Sequence, residues 1–334
     1  MSELWLSWAA ILAGFIGLVW SADRFVGGSA AIASNLGIPK LIVGLTIVSL
    51  GTSAPEIVVS ISAALKGAGD LAVGNALGSN LANIGMVLGI TALIAPMPIQ
   101  RHLLTQEIPI LLLVTAMAGA LLYDSLLVTW EGGLLAGTLI PLMWLMIRAK
   151  QQSPSPEEED SDIPDMETLT AAFWFIAGLA VLIASSEILV WGAKNTAEHF
   201  GVSPLIIGLT VIAVGTSLPE LAASVVSAIK GHTDIALGNI IGSNIFNILA
   251  VMSVPGMFGP TDMSGSEVFS RDYLAMAAIT LFLAAAIVLD YVLRNSASSA
   301  ADGVVVHARL GRRIGSALLL GYIAYYYLLF SPQQ

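Results

Sequence analysis

Two glutamates lie in strongly apolar segments of the sequence, and each closes a copy of the same motif. Glu56 ends the run GTSAPE (residues 51–56), and Glu220 ends the run GTSLPE (residues 215–220), 164 residues later. A charged side chain at the centre of a bilayer costs about 2.5–3.5 kcal/mol even on a lenient scale, so such residues are usually functional. A pair of carboxylates with hydroxyl neighbours could bind a cation or release a proton to make room for one.

A second motif follows each glutamate at the same distance. The run GNALGSNLAN (residues 74–83) returns as GNIIGSNIFN (residues 238–247). Of the 40 aligned positions that begin at Gly51 and Gly215, 19 are identical. The polar residues are kept while the apolar ones vary, and this pattern indicates paired copies of one polar site.

The composition places both copies in a membrane. The chain is 56% hydrophobic and 11% charged, against about a quarter charged in soluble proteins, and its mean hydropathy is +0.85. Several uncharged runs reach the roughly 20 residues that span a hydrocarbon core. We predict an all-α membrane protein of ten spans, with broken helices at the midplane. The expected centres are residues 16, 52, 83, 112, 137, 183, 216, 246, 281 and 323.

The predicted spans divide into two repeats of opposite direction. The offset of 164 residues contains five spans, an odd number, so the second copy enters the membrane from the other side. We therefore expect one five-helix repeat in residues 1–148, a second in 169–334 and a linker in 149–168. The linker is rich in acidic residues, which supply most of the net charge of -10, and is typical of solvated chain.

The basic residues of the predicted loops are distributed unevenly. Because basic loops stay in the cytoplasm, the larger group predicts that both termini lie outside and that the acidic linker is cytoplasmic. That group contains Lys40, Arg101, Arg148, Lys150, Lys230, Arg294, Arg309, Arg312 and Arg313, and the smaller one contains Lys66, Lys194 and Arg271.

The motif itself predicts an oxygen-lined break in a helix. Pro55 and Pro219 remove a backbone donor and free the carbonyls of Gly51 and Gly215. Hydroxyl, amide and carboxylate oxygens then share one face at spacings of three and four residues. Such ligands suit sodium or calcium, whereas zinc, copper or iron would need His or Cys. In the first copy they are Thr52, Ser53, Glu56, Ser79 and Asn83, and in the second Thr216, Ser217, Glu220, Ser243 and Asn247.

Other acidic residues allow other interpretations. Asp23 and Glu187, inside the first and sixth spans, could form salt bridges or line an access path. Asp70 and Asp234 are expected to end loops. Asp70 also completes a GxGD signature, which with Tyr123-Asp124 would suggest an intramembrane aspartyl protease. The order of the two motifs is reversed relative to that family, and the second copy lacks the second glycine, so this interpretation is remote.

These residues resemble the sodium/calcium exchangers of the cation/calcium antiporter superfamily, which contain two inverted alpha-repeats. The likeness covers nearly the whole chain, in a compact prokaryotic form. It implies an antiporter of the plasma (inner) membrane and not an enzyme, with calcium and sodium as transported ions. It implies no cofactor, no nucleic acid and no obligatory protein partner. A calcium/proton or other cation/proton antiporter on the same scaffold is the alternative.

The resemblance also assigns roles to residues. It implies that Glu56 and Glu220 bind calcium together, that the hydroxyl groups toward each end hold sodium, and that the backbone carbonyls of Ser49 and Ala213 complete the sites. Asn247 departs from members that carry Asp there, including potassium-dependent ones, and so argues against potassium coupling.

By alternating access, the first and sixth spans would slide over a rigid core. Glycines would give these two spans a smooth face. They are Gly14, Gly17, Gly27, Gly28, Gly178 and Gly192.

Overall fold

A computed structural model describes residues 2–100, 102–151, 166–201, 213–264, 267–298 and 308–330. Within these ranges, eight helices are long and apolar enough to cross a membrane, or nine if one bent pair is counted as a span. The prediction of an all-helical, multi-pass membrane protein is therefore confirmed. The seventh predicted span extends into residues 202–212, and most of the predicted acidic linker falls in 152–165. Both segments lie outside the described residues.

The helices are numbered in chain order. The first half contains α1 (Ser2–Asn35), α2 (Lys40–Thr52), α3 (Ala54–Leu65), α4 (Gly69–Ile94), α5 (Leu103–Leu122) and α6 (Thr129–Gln151). The second half contains α7 (Thr168–His199), α8 (Ala213–Thr216), α9 (Leu218–Ile229), α10 (Thr233–Phe258), α11 (Val268–Tyr273 continued by Leu274–Ser298) and α12 (Arg312–Phe330).

Helices α4 and α10 run antiparallel through the centre of the molecule. Gly69 at the start of α4 lies against Thr261, just beyond the end of α10. At the other end, Gln100 beyond α4 donates a hydrogen bond to Asp234 at the start of α10 (3.3 Å). Both helices are largely buried because small residues allow close approach. Gly238 and Gly242 of α10 lie against α2 in this way, whereas no described atom lies within 4 Å of a Cβ added at Gly74 or Gly78.

Two short antiparallel ladders join the halves of the chain. Strand β1 (Met97–Ile99), which follows α4, pairs with β4 (Ala308–Leu310), which precedes α12. Strand β2 (Leu126–Leu127), which precedes α6, pairs with β3 (Thr261–Asp262), which follows α10. Each ladder thus joins the segment after a buried motif helix to a segment of the opposite half.

The two longest helices, α1 and α7, pack antiparallel along their length. Five of the six glycines predicted to form a sliding face lie in this contact instead. The backbone of Phe25 is so close to Gly178 that an added Cβ would lie 2.7 Å from its nitrogen. The glycines therefore allow the two helices to pack closely against each other. The expectation that they form a face for sliding over the core is wrong for these five. They are Gly14, Gly17, Gly28, Gly178 and Gly192.

One predicted acidic residue makes a contact between elements. Asp23 of α1 forms an ion pair with Lys230, just after α9, at 2.6 Å. This confirms the salt-bridge interpretation for Asp23. The counterpart Glu187 is exposed on α7. Asp70 accepts a hydrogen bond from the backbone of Leu71 (2.9 Å), as expected for a residue at the edge of a helix.

Substituting Gly178 by Ala should destabilise the protein by about 1–3 kcal/mol, the usual cost of overpacking a close contact. The added methyl group would meet backbone atoms of Phe25, which cannot rotate away. Thermal unfolding in detergent measures the effect. Gly137→Ala is the matched control, because Gly137 is exposed on α6 and no described atom lies within 4 Å of its added Cβ. Equal melting temperatures for the two variants would contradict the proposed tight contact.

A buried histidine between α9 and α10 predicts acid sensitivity. Burial of His232, with Lys40 and Lys230 nearby, lowers its pKa to about 4. Above pH 6.5, its normal pKa, the residue is neutral in the folded and unfolded states, so its contribution to stability is complete. As the pH falls from 6.5 toward 4, the unfolded state gains a proton first, and stability is lost. The loss should total about 3 kcal/mol.

Melting temperatures of wild type and His232→Gln in detergent between pH 7.5 and 4 would measure this. The wild type should lose more stability than the variant over that range. If the melting temperatures of the two proteins fell in parallel with pH, His232 would not contribute to the acid sensitivity.

Candidate functional site

Each GTSxPE motif forms a break between two helices. Ser53 (φ -81°, ψ 7°) and Ser217 (φ -90°, ψ 6°) leave the helical region at equivalent positions, and a proline follows in the first turn of the next helix. At Ser53 the chain bends by 45° between α2 and α3. This sparsely populated backbone conformation often occurs at functional residues. The predicted broken helices are thus present at both motifs.

The break carries both glutamates into the interior. Glu56 is in the first turn of α3, Glu220 is in the first turn of α9, and both are completely buried. Their charges are close enough to interact. Most of the predicted ligands lie in the same buried region. Those fully or almost fully buried are Ser49, Thr52, Ser53, Ser79, Asn83, Ser217, Ser243 and Asn247, while Thr216 is partly buried.

Two predicted ligands of the first copy reach across to the second. The Ser53 hydroxyl donates to Glu220 Oε1 at 3.2 Å, and the Thr52 hydroxyl donates to Asn239 Oδ1 at 3.0 Å. Ser49 lies against Gly242, the neighbour of Ser243. The structure therefore brings the two motif copies together around one polar centre, although they are 164 residues apart in the chain.

Many polar atoms at this centre have no hydrogen-bond partner in the described part of the chain. Leaving a buried polar group unpaired costs about 1–3 kcal/mol, and more for a charged group. Ten residues carry such atoms, and six of the ten are predicted ligands. The atoms of these six are both carboxylate oxygens of Glu56, Oε2 of Glu220, the hydroxyls of Ser217 and Ser243, and both amide atoms of Asn83 and Asn247.

The predicted amide ligands lie where helices α4 and α10 change pitch. Asn83 lies in the π-helical turn Ala82–Leu88, and Asn247 begins the π-helical turn Asn247–Val251. Turns of this kind are rare and often mark functional sites, because they redirect a side chain within a continuous helix. The apolar periodicity of the sequence does not reveal them.

The structure also shows two kinds of residue that sequence analysis left unassigned. Asn75 and Asn239 donate to the backbone carbonyls of Glu56 (3.2 Å) and Glu220 (3.4 Å), respectively. Their recurrence in the GNxxGSN motif is the signal that could have identified them. Ser186 of α7 donates to the Gly215 carbonyl at 2.9 Å. This carbonyl, freed by Pro219, therefore has a protein partner, and nothing in the motif indicates it.

The backbone carbonyls that the resemblance assigns to the site lie at the ends of these elements. The Ser49 carbonyl accepts the Ser53 amide at 3.0 Å, so only its second lone pair is left for another ligand. Ala213 begins α8, directly beyond the undescribed residues 202–212.

The donor set is composed of oxygen ligands. In the part of the chain that the structure describes, no group of three or more His, Cys, Asp and Glu side chains is placed so that it could hold a metal ion. The protease interpretation fails. Asp70 and Asp124 are exposed, and each carboxylate accepts a hydrogen bond from a nearby backbone amide.

Comparison with known proteins identifies the family. The family model "Sodium/calcium exchanger protein" matches residues 6–148 and 170–331. The chain is 44% identical to the putative antiporter CaxA of Alkalimonas amylolytica, over 96% of this chain and 98% of that protein. It is 39% identical to the inner membrane protein YrbG of Escherichia coli (strain K12), over 84% and 88% of the respective chains.

The fold is also that of a solved structure. The sodium-calcium exchanger NCX_Mj superposes with a TM-score of 0.81 at 29% sequence identity, covering 98% of this chain and 99% of that one. Two of these three proteins are described as transporters, CaxA as a putative antiporter and NCX_Mj as an exchanger, and none is described as an enzyme. The chain therefore belongs to the sodium/calcium exchanger family.

Proposed function

We propose that this protein is an antiporter that exchanges sodium for calcium, with calcium held between Glu56 and Glu220. The observation that carries the proposal is a pair of fully buried carboxylates with unpaired oxygen atoms. Within the described residues, no Lys or Arg side chain forms an ion pair with either one. A divalent cation would neutralise both charges, and sodium ions could replace it by using the neighbouring hydroxyl oxygens.

We infer that the site is built from two inverted five-helix repeats, residues 1–148 and 169–334. The antiparallel course of α4 and α10 supports this inversion, as do the two strand ladders that exchange equivalent segments. Asn80 of α4 donates to the carbonyl of its own counterpart, Asn244 of α10, at 3.1 Å. Contact between equivalent residues is expected where an axis of internal symmetry passes between them.

The proposed cycle is alternating access. Helices α1 and α7 are joined by their glycines and would move as one unit across the core that holds the carboxylates. Access would alternate between the two sides while sodium and calcium compete for the same glutamates. The excess of basic residues on one side supports both termini outside and the linker of residues 149–168 in the cytoplasm.

Glu220→Gln should abolish sodium-dependent calcium flux in proteoliposomes. Removing one charge of a buried, mutually dependent set costs about 3–5 kcal/mol, which is roughly a 100-fold or greater loss of calcium affinity. Glu56→Gln should have the same effect. Glu131→Gln is the matched control, because Glu131 is also buried but accepts a hydrogen bond from the Val128 amide, a role that Gln can fill. Wild-type flux in Glu220→Gln would refute the proposal.

The nature of the driving ion is a separate test. An outward sodium gradient should drive calcium uptake into proteoliposomes, whereas a proton gradient at constant sodium should not. Potassium should be neither required nor able to replace sodium, since the uncharged Asn247 leaves two acids at the site. Uptake driven by protons alone would instead assign the protein as a cation/proton antiporter.

A further inference from the structure

Asn239 has an unusual position among the buried polar residues, because it joins the two motif copies. It lies on α10, is completely buried, and contacts both motifs. Its Nδ2 donates to the Glu220 carbonyl (3.4 Å) and to the Ser224 hydroxyl (3.0 Å), both on α9. Its Oδ1 accepts from the Thr52 hydroxyl of α2 (3.0 Å).

The orientation of this carboxamide follows from its partners. A backbone carbonyl can only accept a hydrogen bond, so the NH₂ group must face Glu220. The carboxamide oxygen then faces Thr52, whose hydroxyl carries a single hydrogen. Two other acceptors lie near Thr52, the Glu220 carboxylate and the Ser49 carbonyl at 3.4 Å, but the contact with Asn239 at 3.0 Å is the shorter of the two hydrogen bonds that the hydroxyl donates. The Thr52 hydrogen is therefore directed toward Asn239.

This arrangement decides what Thr52 can offer to an ion. Thr52 lies beside the Glu220 carboxylate. A hydroxyl that donates its hydrogen to Asn239 directs its lone pairs elsewhere and can coordinate a cation. Without Asn239 Oδ1, the Glu220 carboxylate would be the strongest acceptor within reach of the Thr52 hydroxyl. The Thr52 hydrogen would then occupy a carboxylate lone pair that a cation needs.

We propose that Asn239 is a positioning residue for sodium binding, which acts by fixing the Thr52 hydroxyl as an oxygen ligand. The proposal rests on the sodium/calcium exchange proposed above. Loss of Asn239 should weaken sodium binding more than calcium binding. Calcium binding is governed by the two carboxylate charges, whereas the binding of a monovalent ion depends more on each neutral oxygen ligand. In the first repeat, Asn75 makes the corresponding bond to the Glu56 carbonyl.

The test compares two fluxes in proteoliposomes of the full-length protein. Asn239→Leu keeps the side-chain shape but removes the acceptor for Thr52 together with the donor to the Glu220 carbonyl and the Ser224 hydroxyl. It should raise the sodium concentration for half-maximal calcium release about three- to tenfold. Calcium–calcium exchange without sodium should keep its rate within about twofold. An unchanged sodium dependence, or an equal loss of both fluxes, would overturn the proposal, since a purely structural defect lowers both together.

A double-mutant cycle tests whether Asn239 acts through Thr52. Thr52→Val alone should also raise the sodium requirement, and adding Asn239→Leu should have little further effect. Thr91→Val is the control partner, because Thr91 is buried on α4 and bonds to the Val87 carbonyl of its own helix (2.7 Å). Its effect should add to that of Asn239→Leu. Additivity between Asn239→Leu and Thr52→Val would overturn the proposed route.

Asn239→Asp provides a second variant if the leucine variant does not fold. The aspartate keeps an acceptor oxygen toward Thr52, so Thr52→Val should raise the sodium requirement in this background as much as it does in wild type. If Thr52→Val had no effect there, the proposal would fail. Failure of the wild type to release calcium in response to sodium would instead refute the proposed exchange.

Discussion

The fold is organised around two carboxylates that are buried without a basic partner in the described part of the chain. In a low-dielectric interior such charges are tolerated only if other groups compensate them. Proteins usually supply Lys or Arg for this purpose, and the resulting ion pair is permanent. Here the nearby groups are hydroxyls and carboxamides, which solvate a charge without cancelling it. In the proposed exchanger, full neutralisation comes from a ligand that can leave, and this property distinguishes a transport site from a structural salt bridge.

The backbone is shaped to meet that requirement. Two proline breaks place Glu56 and Glu220 in first helical turns, where the positive end of the helix dipole favours a carboxylate. The π-helical turns at Asn83 and Asn247 then direct carboxamides from the neighbouring helices. Glycines 238 and 242 allow α2 to approach α10 closely enough for Thr52 to reach Asn239. Each deviation from regular helix therefore occurs where a polar group has to be presented.

The sequence singles out these residues as candidate ligands because they are identical in two copies while their neighbours vary. It also predicted the broken helices, since the effect of proline on a helix is local. Contacts between distant elements could not be predicted in the same way. The glycines of α1 and α7 were expected to form a smooth face for sliding over the core, but five of them lie between the two helices, because composition does not reveal which partner a small-residue face meets. The bond from Ser186 to Gly215 and the bond from Thr52 to Asn239 depend on the register between helices, which periodicity leaves undetermined.

The two motif copies are equivalent in sequence but not in their contacts. Ser53 donates to Glu220, whereas its counterpart Ser217 and both oxygens of Glu56 have no hydrogen-bond partner among the described residues. Asp23 pairs with Lys230, whereas no ion pair joins the counterparts Glu187 and Lys66 in the described chain. A transporter with inverted repeats obtains its second state by exchanging the conformations of the two repeats. Such an exchange would form the Glu187–Lys66 pair and break the other one. In the proposed inverted-repeat exchanger, this asymmetry of a single conformation is what allows one site to face each side of the membrane in turn.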